Sequence, residues 1–389
     1  MQPNNHVLGC GTYRVFVQYR GGLVYTCELL DVTNLTFTRV LNETSECSVT
    51  VTTGCCGCLA EVNPWEHEIA VFRDDDLVWC GPIIDMDFDA AAETVQLYAK
   101  DLLVWADNRV VELANIDYDP SATDLSDAYQ WLLEHAYCKD PWGMTWGIDP
   151  VGIPIERYYP AFDKAGGERW GGVYVAIGDE LRTLAEAGVD YTIINRHLWG
   201  GSIEVVNPVG GGVVLIDHHF KQAPVVKVTG SKQATRFISA GGDGGYSGYY
   251  DDQIYVYPPV VGPISPSMLD QYQQRFGLIE KFSTTPTYDD VDTTSLPNAI
   301  AQDAKTRWDL LVTPYTYIES GELDNSAPID FGTDLIPGAI YTLLLSATCR
   351  PLSYNQMRLK KVEVSYAGNE ESVAITLQPL GTSSVDQGT

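Results

Sequence analysis

The sequence lacks any run of 18 or more apolar residues, so it predicts no transmembrane helix. Its first ten residues, MQPNNHVLGC, have neither the basic start nor the apolar core of a signal peptide. We therefore expect a protein that is made and folded in a cytoplasm and that does not insert stably into a membrane.

Catalytic signatures are also missing. The sequence contains no GxSxG, HExxH, Walker or dinucleotide-binding motif, and the glycine-rich stretch GGDGGYSGYY is not followed by Gly-Lys-Ser/Thr. Acidic residues are so numerous that some pair of carboxylates always lies within about 5–10 Å. Such a pair is expected from their number alone, so it does not indicate glycoside hydrolysis. The sequence therefore predicts no enzyme, no cofactor and no catalytic or cofactor-binding residue.

Basic residues are scarce: 24 Lys and Arg stand against 52 Asp and Glu, a net charge of −28. Adhesion to nucleic acid needs clustered Lys and Arg, so this balance opposes it. Two interpretations remain open. The charge keeps the surface soluble, or it lines a channel wall past which a polyanion slides without sticking.

Cysteine is concentrated in the first fifth of the sequence. Of nine cysteines, seven precede residue 81, with the densest group in GCCGC. They are Cys10, Cys27, Cys47, Cys55, Cys56, Cys58 and Cys80. No CxxC pair and no spaced His complete a zinc pattern, which favours buried or paired structural cysteines over a zinc or iron–sulfur site. The sequence does not decide between the reduced, bridged and metallated states.

Three other groups of residues are candidates for a metal site, an acid–base pair or glycosylation. Asp217-His218-His219 follows a predicted strand, but no third ligand has a recognisable spacing, so we expect an exposed polar strand end. His67 and Glu68 alternate on a strand and point to opposite faces, so they are no acid–base pair. The sequons at Asn34 and Asn42 mean little without secretion. No metal-binding residue is predicted.

The clearest element is a β-hairpin over residues 65–84, WEHEIAVFRDDDLVWCGPII. Its first strand alternates with period 2, which predicts one buried face. The acidic triplet Asp74-Asp75-Asp76 has the chemistry of a turn. Gly81-Pro82 should bend or end the second strand.

The rest of the chain alternates β-rich ends with a mixed centre. Residues 12–105 predict short antiparallel strands, with a hairpin turn at Gly21-Gly22. The remaining predictions are a helix capped by Asp124; a helix from Asp179 to Gly188; strands at VDYTIINRHL, SIEVV and GVVLID; a loop or linker at 241–250, whose tyrosines could alternatively stack on sugar; helices opened by Ser265-Pro266 and within 295–311; and C-terminal strands.

Two regions together resemble a known family. CCGCLAEVNPWEHEIAVFRDDDLVWCGPI resembles the N-terminal hairpin of siphophage minor tail proteins, especially those of actinobacteriophages. FGLIEKF, a helix, PIDFGTDLIPGAIYTLLL, MRLKKVEVSY and SVAITLQPL are similar in order to the closing barrel of tail-tip hub proteins. The two regions lie at opposite ends of the chain, in the expected order. The cysteine density has no counterpart in the family pattern.

The resemblance implies an α+β, β-dominated fold like the central baseplate hub of contractile phages, with two tube-protein-like β-barrels. The implied boundaries are 1–112 plus 202–240 for the first barrel, 113–201 for an α/β insertion, 241–285 for a linking loop and helix region, 286–380 for the second barrel and 381–389 for a polar tail.

The function that the resemblance implies is a trimeric hub at the virion tail tip. It would be assembled in the bacterial host cytoplasm, adapt a sixfold tail tube to a threefold tip and form part of the DNA ejection channel. Implied partners are the homotrimer, the distal tail protein, the tape measure protein and other tail-tip or receptor-binding proteins, with DNA only in transit. Alternatives are a hexameric distal tail protein, or a carbohydrate-binding or cell-wall-cleaving protein that uses the aromatic loops 142–174 and 243–257.

Overall fold

The computed structural model describes residues 7–22, 24–52, 59–112, 124–139, 141, 143–152, 174–201, 213–231, 233–241, 254–258, 271–285, 304–305, 308, 311–312, 314–346 and 352–379. The fold is α+β and dominated by strands, as the sequence predicts. Within these ranges no helix is long and apolar enough to cross a membrane.

The strands are β1 Tyr13–Tyr19, β2 Tyr25–Leu29, β3 Val32–Val40, β4 Glu46–Thr52, β5 His67–Arg73, β6 Asp76–Asp89, β7 Thr94–Lys100, β8 Val110–Glu112, β9 Thr145–Ile148, β10 Tyr174–Ala176, β11 Asp190–Ile194, β12 His197–Gly201, β13 Val213–Ile216, β14 Val225–Thr229, β15 Arg236–Gly241, β16 Ile254–Tyr257, β17 Glu280–Thr285, β18 Tyr315–Glu322, β19 Ile340–Leu345, β20 Leu352–Ala367 and β21 Glu370–Pro379. The helices are α1 Val104–Asp107, α2 Leu125–Lys139, α3 Ile177–Ala187, α4 Gln271–Phe276 and a 3-10 turn at Asp217–His219.

One antiparallel sheet joins the two ends of the chain. Eight of its strands, which we call the eight-stranded sheet, follow the order β14-β18-β21-β20-β3-β4-β7-β6, and every neighbouring pair is antiparallel. Within the described ranges they belong to a sheet of thirteen strands, which continues from β6 through β5 and β1 to β2 and also holds β19, beside β20, and β13. The junction between the ends is β3 against β20, where Phe37 faces Val364. Both side chains are buried in one core that runs under the whole sheet. Alternating Thr, Ser and aliphatic residues give these strands the period of a half-buried sheet.

The hairpin at residues 65–84 forms as β5 and β6, and Asp74 and Asp75 occupy its tip with positive φ angles of 50° and 76°. The sequence predicts that Gly81-Pro82 bends or ends the second strand, and the dipeptide does not end it, because β6 continues to Asp89. At this dipeptide β6 changes partner: residues up to Pro82 pair with β5, and residues from Ile83 pair with β7. A proline is tolerated where one ladder stops and another begins, since its missing N–H is not required there.

The prediction of a single buried face for β5 is also wrong. Ile69 and Val71 enter the core under the eight-stranded sheet, whereas Ala70 packs in a second core with residues of α2 and α3. A helical layer therefore covers the face that a two-layer sandwich would leave to solvent. Period-2 alternation shows only that the two faces of a strand differ in residue type, and it does not show that either face is exposed to solvent.

That helical layer contains α2, α3 and the sheet β11-β12-β9. Asp124 caps α2 as predicted, because its carboxylate accepts hydrogen bonds from the Ser126 backbone N–H (2.9 Å) and hydroxyl (2.6 Å). Gly188 ends α3 in the left-handed region, also as predicted, although the helix begins at Ile177. The predicted strand VDYTIINRHL is a hairpin instead, since Asn195 and Arg196 form a turn with positive φ.

A smaller sheet, β16-β15-β17, packs near α4, which ends at Gly277 with a φ of +83°. Trp308 donates a hydrogen bond from its ring nitrogen to the carbonyl of Thr235, the residue before β15, and this bond connects Trp308 to the sheet. Four sequence-based predictions lie outside the described residues: the Ser265-Pro266 helix start, the strand SIEVV, most of the loop 241–250 and the polar tail 381–389.

Strands β13 and β14 fall in the segment 202–240, which the sequence assigns to the first barrel. In the structure they pair with β19 and β18, two strands of the predicted second barrel. Leu215 and Ile318 accordingly lie in the same core. The domain boundaries themselves stay a prediction.

Candidate assembly and channel surface

The eight-stranded sheet has one buried face and one polar face. The polar face, as we use the term, is the set of side chains opposite the core on β14, β18, β21, β20, β3, β4, β7 and β6. Its uncharged polar members are Asn34, Thr36, Thr38, Ser48, Thr50, Thr52, Thr94, Gln96, Tyr98, Thr229, Tyr317, Ser365, Ser372 and Thr376. Its charged members are Asp85, Asp87, Asp89, Glu46, Glu319, Glu322, Glu363 and Glu370, with Lys100, Lys227 and Lys361. Carboxylates thus outnumber lysines on a face that is otherwise rich in hydroxyl groups.

The three lysines lie at one end of this face, and each has a carboxylate within 4 Å. The pairs are Lys100–Glu46 at 3.8 Å, Lys227–Glu319 at 2.5 Å and Lys361–Glu363 at 2.7 Å. We call these six residues the lysine belt. The hydrogen bond that Lys227 donates to Glu319 raises the pKa of the ammonium group. An open groove of about 450 Å³, lined partly by belt residues, runs along the same end of the sheet.

Both outer strands of the eight-stranded sheet carry exposed apolar residues on the core side. Phe88 of β6, opposite the buried Val95, is 67% exposed. Val228 of β14, opposite Thr316, is 59% exposed. Within the described residues, β6 from Ile84 to Asp89 has a strand partner only in β7, and β14 has one only in β18. These two edges present unpaired backbone groups beside uncovered apolar side chains, the usual marks of a strand-addition surface.

Buried arginine–carboxylate contacts hold the surrounding elements in place. Arg73, at the tip of β5, donates to Glu371 through Nε (2.7 Å) and Nη2 (3.0 Å), and Tyr13 donates its hydroxyl to the same carboxylate (2.5 Å). Burial alone would raise the pKa of Glu371, but the hydrogen bonds from Arg73 and Tyr13 outweigh it and lower that pKa. The carboxylate is fully committed, so it is a structural contact and not a proton-transfer group.

A second set of contacts fastens the helical layer to the sheets. Arg196 donates to the fully buried Glu68 at 2.7 Å and to the Gly143 carbonyl at 2.9 Å. His67 is buried as well, and its Nδ1 accepts a hydrogen bond from the Asn63 backbone. The two side chains have separate partners, as expected for residues that do not form an acid–base pair.

Asn42 makes the second connection to the helical layer. Its side-chain oxygen accepts from the Tyr191 backbone N–H (2.7 Å), and its amide donates to Asp190 (2.6 Å), which also pairs with Arg358. Asn42 is fully buried, so its sequon is closed to modification in the folded protein. Asn34 is exposed on β3.

The sequence-predicted metal candidates are not brought together. Asp217 accepts hydrogen bonds from the backbone N–H and hydroxyl of Ser346, while His219 is largely buried and its ring packs on His218. No group of three or more His, Cys, Asp or Glu in the described ranges could hold a metal ion. The turn is thus partly buried, whereas the sequence predicts an exposed strand end.

The described cysteines fall into three environments. Cys27 is disulfide-bonded, whereas Cys10 is free and exposed. Cys47 and Cys80 are free and buried, and burial raises the pKa of the Cys80 thiol to about 12. Cys55, Cys56 and Cys58 lie outside the described residues.

Sequence reasoning missed the lysine belt and both free edges. The alternation of Thr and Ser with apolar residues was visible in LTFTRV and SVTV. It could not show which strands are neighbours, and the belt exists only because their registers align.

The fold belongs to a class found in phage tail proteins. It matches the 43 kDa tail protein of prophage MuSo2 from Shewanella oneidensis with a TM-score of 0.61 at 12% identity, over 95% of this chain and 99% of the other. The tail protein from Neisseria meningitidis MC58 matches with a TM-score of 0.58 at 12% identity, over 96% and 98% of the two chains. Prophage tail protein gp18 from Listeria monocytogenes EGD-e matches with a TM-score of 0.56 at 13% identity, over 96% and 97%. No protein-family model matches the sequence, and no curated protein does.

Proposed function

We propose that this protein is a structural component of a phage tail, and specifically a trimeric tail-tip hub whose ring surrounds the DNA ejection channel. The likeness in fold to three tail proteins, two of them from prophages, over nearly the full length of each chain, supports the general assignment. The specific assignment as a trimeric hub rests on the two free edges of the eight-stranded sheet.

The edges suit a ring because they differ. A surface on β6 that meets a different surface on β14 is heterologous, and such contacts form closed rings when the rotation between copies closes. The eight strands alternate in direction, so β6 and β14 run in opposite directions. Joining β6 of one copy to β14 of the next therefore continues the antiparallel pattern without interruption.

The side chains at the two edges also match. Phe88 and Val228, each exposed on the core side, would be covered by such a joint, and burying an apolar side chain favours association. On the polar face, the β6 edge carries the acidic Asp85 and Asp87, and the β14 edge carries Lys227. Opposite charges on the two edges favour their association.

Ring closure in this manner turns the polar face toward a common centre. A wall of hydroxyl groups and carboxylates would offer few sites to phosphate, so DNA could pass without being held. The position at the tail tip, the change from sixfold to threefold symmetry, and the contacts with the distal tail, tape measure and receptor-binding proteins complete this proposal, as does assembly in the bacterial host cytoplasm.

Experiments distinguish two other functions from that of a hub. A hexameric distal tail protein would use six copies instead of three. A carbohydrate-binding or cell-wall-cleaving protein would bind or cleave glycans. The committed partners of Glu371 and Glu68 disfavour hydrolysis at those carboxylates.

The test is the copy number of the assembled ring. Native mass spectrometry of the protein, co-expressed with the neighbouring tail proteins of its phage, should give a trimer. Phe88→Asp and Val228→Asp place a charge at opposite edges, and each should reduce the assembly to monomers. Leu278→Asp is the matched control, because Leu278 is an exposed apolar residue outside the eight-stranded sheet. If the unaltered protein gave monomers and no larger assembly, that result would contradict the hub. An assembly of six copies would favour the distal tail protein.

A further inference from the structure

Each of the three lysines of the belt contacts a glutamate, and Lys360, which lines the same groove, contacts Glu43 at 3.3 Å. We infer that these glutamates neutralise a girdle of lysines that would otherwise bind double-stranded DNA in passage. The inference rests on the proposed channel, and it assigns the charged residues that keep the channel wall from adhering to its cargo.

Strand register places the belt in one oblique band across the sheet. Glu46 lies directly opposite Lys100 on the neighbouring strand, and Glu363 lies opposite Thr38 of β3 at the same level. Lys361 lies further along β20, opposite Thr376, whose hydroxyl donates to the Glu319 backbone carbonyl. Lys227 lies further again, opposite Tyr317 and beside Glu319. The belt therefore crosses seven strands obliquely, and in a closed ring it would run around the lumen.

A girdle of this kind is where a duplex would be arrested. Lysines that contact phosphates release counterions, and this gain supplies most non-specific affinity for DNA. A lysine that already contacts a glutamate gains less, because its charge is compensated in place. The other end of the face carries Asp85, Asp87 and Asp89, which repel phosphate without any such arrangement.

The glutamates of the belt contribute little to the stability of the fold. The belt side chains are 38–70% exposed, and exposed ion pairs contribute little to stability. Glu→Gln substitutions keep side-chain size and should leave the fold intact. Their effect should therefore fall on the charge of the face alone.

The experiment compares two triple variants with equal charge changes. The face variant carries Glu46→Gln, Glu319→Gln and Glu363→Gln. The control variant carries Glu28→Gln, Asp179→Asn and Glu280→Gln, which remove one carboxylate partner each from Arg14, Arg182 and Arg236, away from the polar face. Binding of a short blunt-ended DNA duplex is measured by fluorescence anisotropy over a salt series, and oligomeric state is measured on the same samples.

The face variant should bind the duplex, while the unaltered protein and the control variant should not. Three freed lysines per chain predict that the affinity falls roughly 40-fold between about 50 and 200 mM salt. Equal binding by both variants, no binding by either, or binding by the unaltered protein would overturn the inference. A missing trimer would instead refute the proposed ring, since the polar face and its belt belong to a single chain.

Discussion

The contact between Arg73 and Glu371 provides a sharp test of how the two ends of the chain are joined. The pair connects β5 to β21, and both side chains are only 1% exposed. Arg73 also donates to the Val7 carbonyl at 2.7 Å and lies over the Phe331 ring, 4.4 Å from its centroid. Arg73→Met keeps much of the apolar stem and removes the charge, so Glu371 is left buried with neutral donors only.

The structure supplies its own reference for the magnitude. Arg14 contacts Glu28 with nearly the same bidentate geometry, at 2.8 and 3.0 Å, but Arg14 is 51% exposed. Breaking a buried pair by removing one partner costs about 3–5 kcal/mol. Breaking an exposed pair costs less than about 1 kcal/mol. Arg73→Met should therefore destabilise the protein several times more than Arg14→Met, although the two pairs have the same chemistry and geometry.

The assay is equilibrium unfolding in urea, followed by intrinsic fluorescence and circular dichroism. The lowered pKa of Glu371 adds a pH signature. A carboxyl whose folded pKa is depressed stabilises the fold above its unfolded pKa, and this stability is lost as pH falls through the folded value. The unaltered protein should lose this contribution in acid, and Arg73→Met should have lost most of it already near pH 7. Equal destabilisation by the two substitutions would refute the reasoning.

Three further predictions concern single buried groups. Burial raises the pKa of Asp101 to about 7, so the folded state holds a proton that the unfolded chain releases near pH 4. The free energy of unfolding should therefore fall as pH rises from about 4 to 7. Asp101→Asn should flatten that pH dependence in urea titrations. Gly81→Ala should cost about 1–3 kcal/mol in the same assay, because the added Cβ would lie 1.8 Å from the Lys100 carbonyl oxygen. Asn42→Ala should cost about 2–4 kcal/mol and speed limited proteolysis of the helical layer, because it removes two buried hydrogen bonds at a φ of +62°.

The sequence predicted the local elements well. The hairpin of β5 and β6, the Asp124 cap and the Gly188 helix end each depend on residues within a few positions of one another. Short-range geometry of that kind is set by turn and cap chemistry, which a single sequence displays directly.

The sequence could not predict features that depend on neighbours distant along the chain. Gly81-Pro82 looks like a strand end, yet it lies where β6 exchanges β5 for β7, and only the tertiary fold supplies the second partner. The two faces of β5 look unequal, yet both are buried, because a separate helical layer covers the second one. Glu46 and Lys361 belong to segments far apart in sequence, so their place in one band of the polar face had no local signal.

The central claim is that the two free edges of the eight-stranded sheet close a ring of three chains. The most direct measurement is the rotational symmetry of this protein in an electron-microscopy map of the assembled tail. The account predicts threefold symmetry, with β6 of each copy beside β14 of the next and the polar face toward the channel. Sixfold symmetry, or a map in which β6 and β14 face solvent, would contradict it.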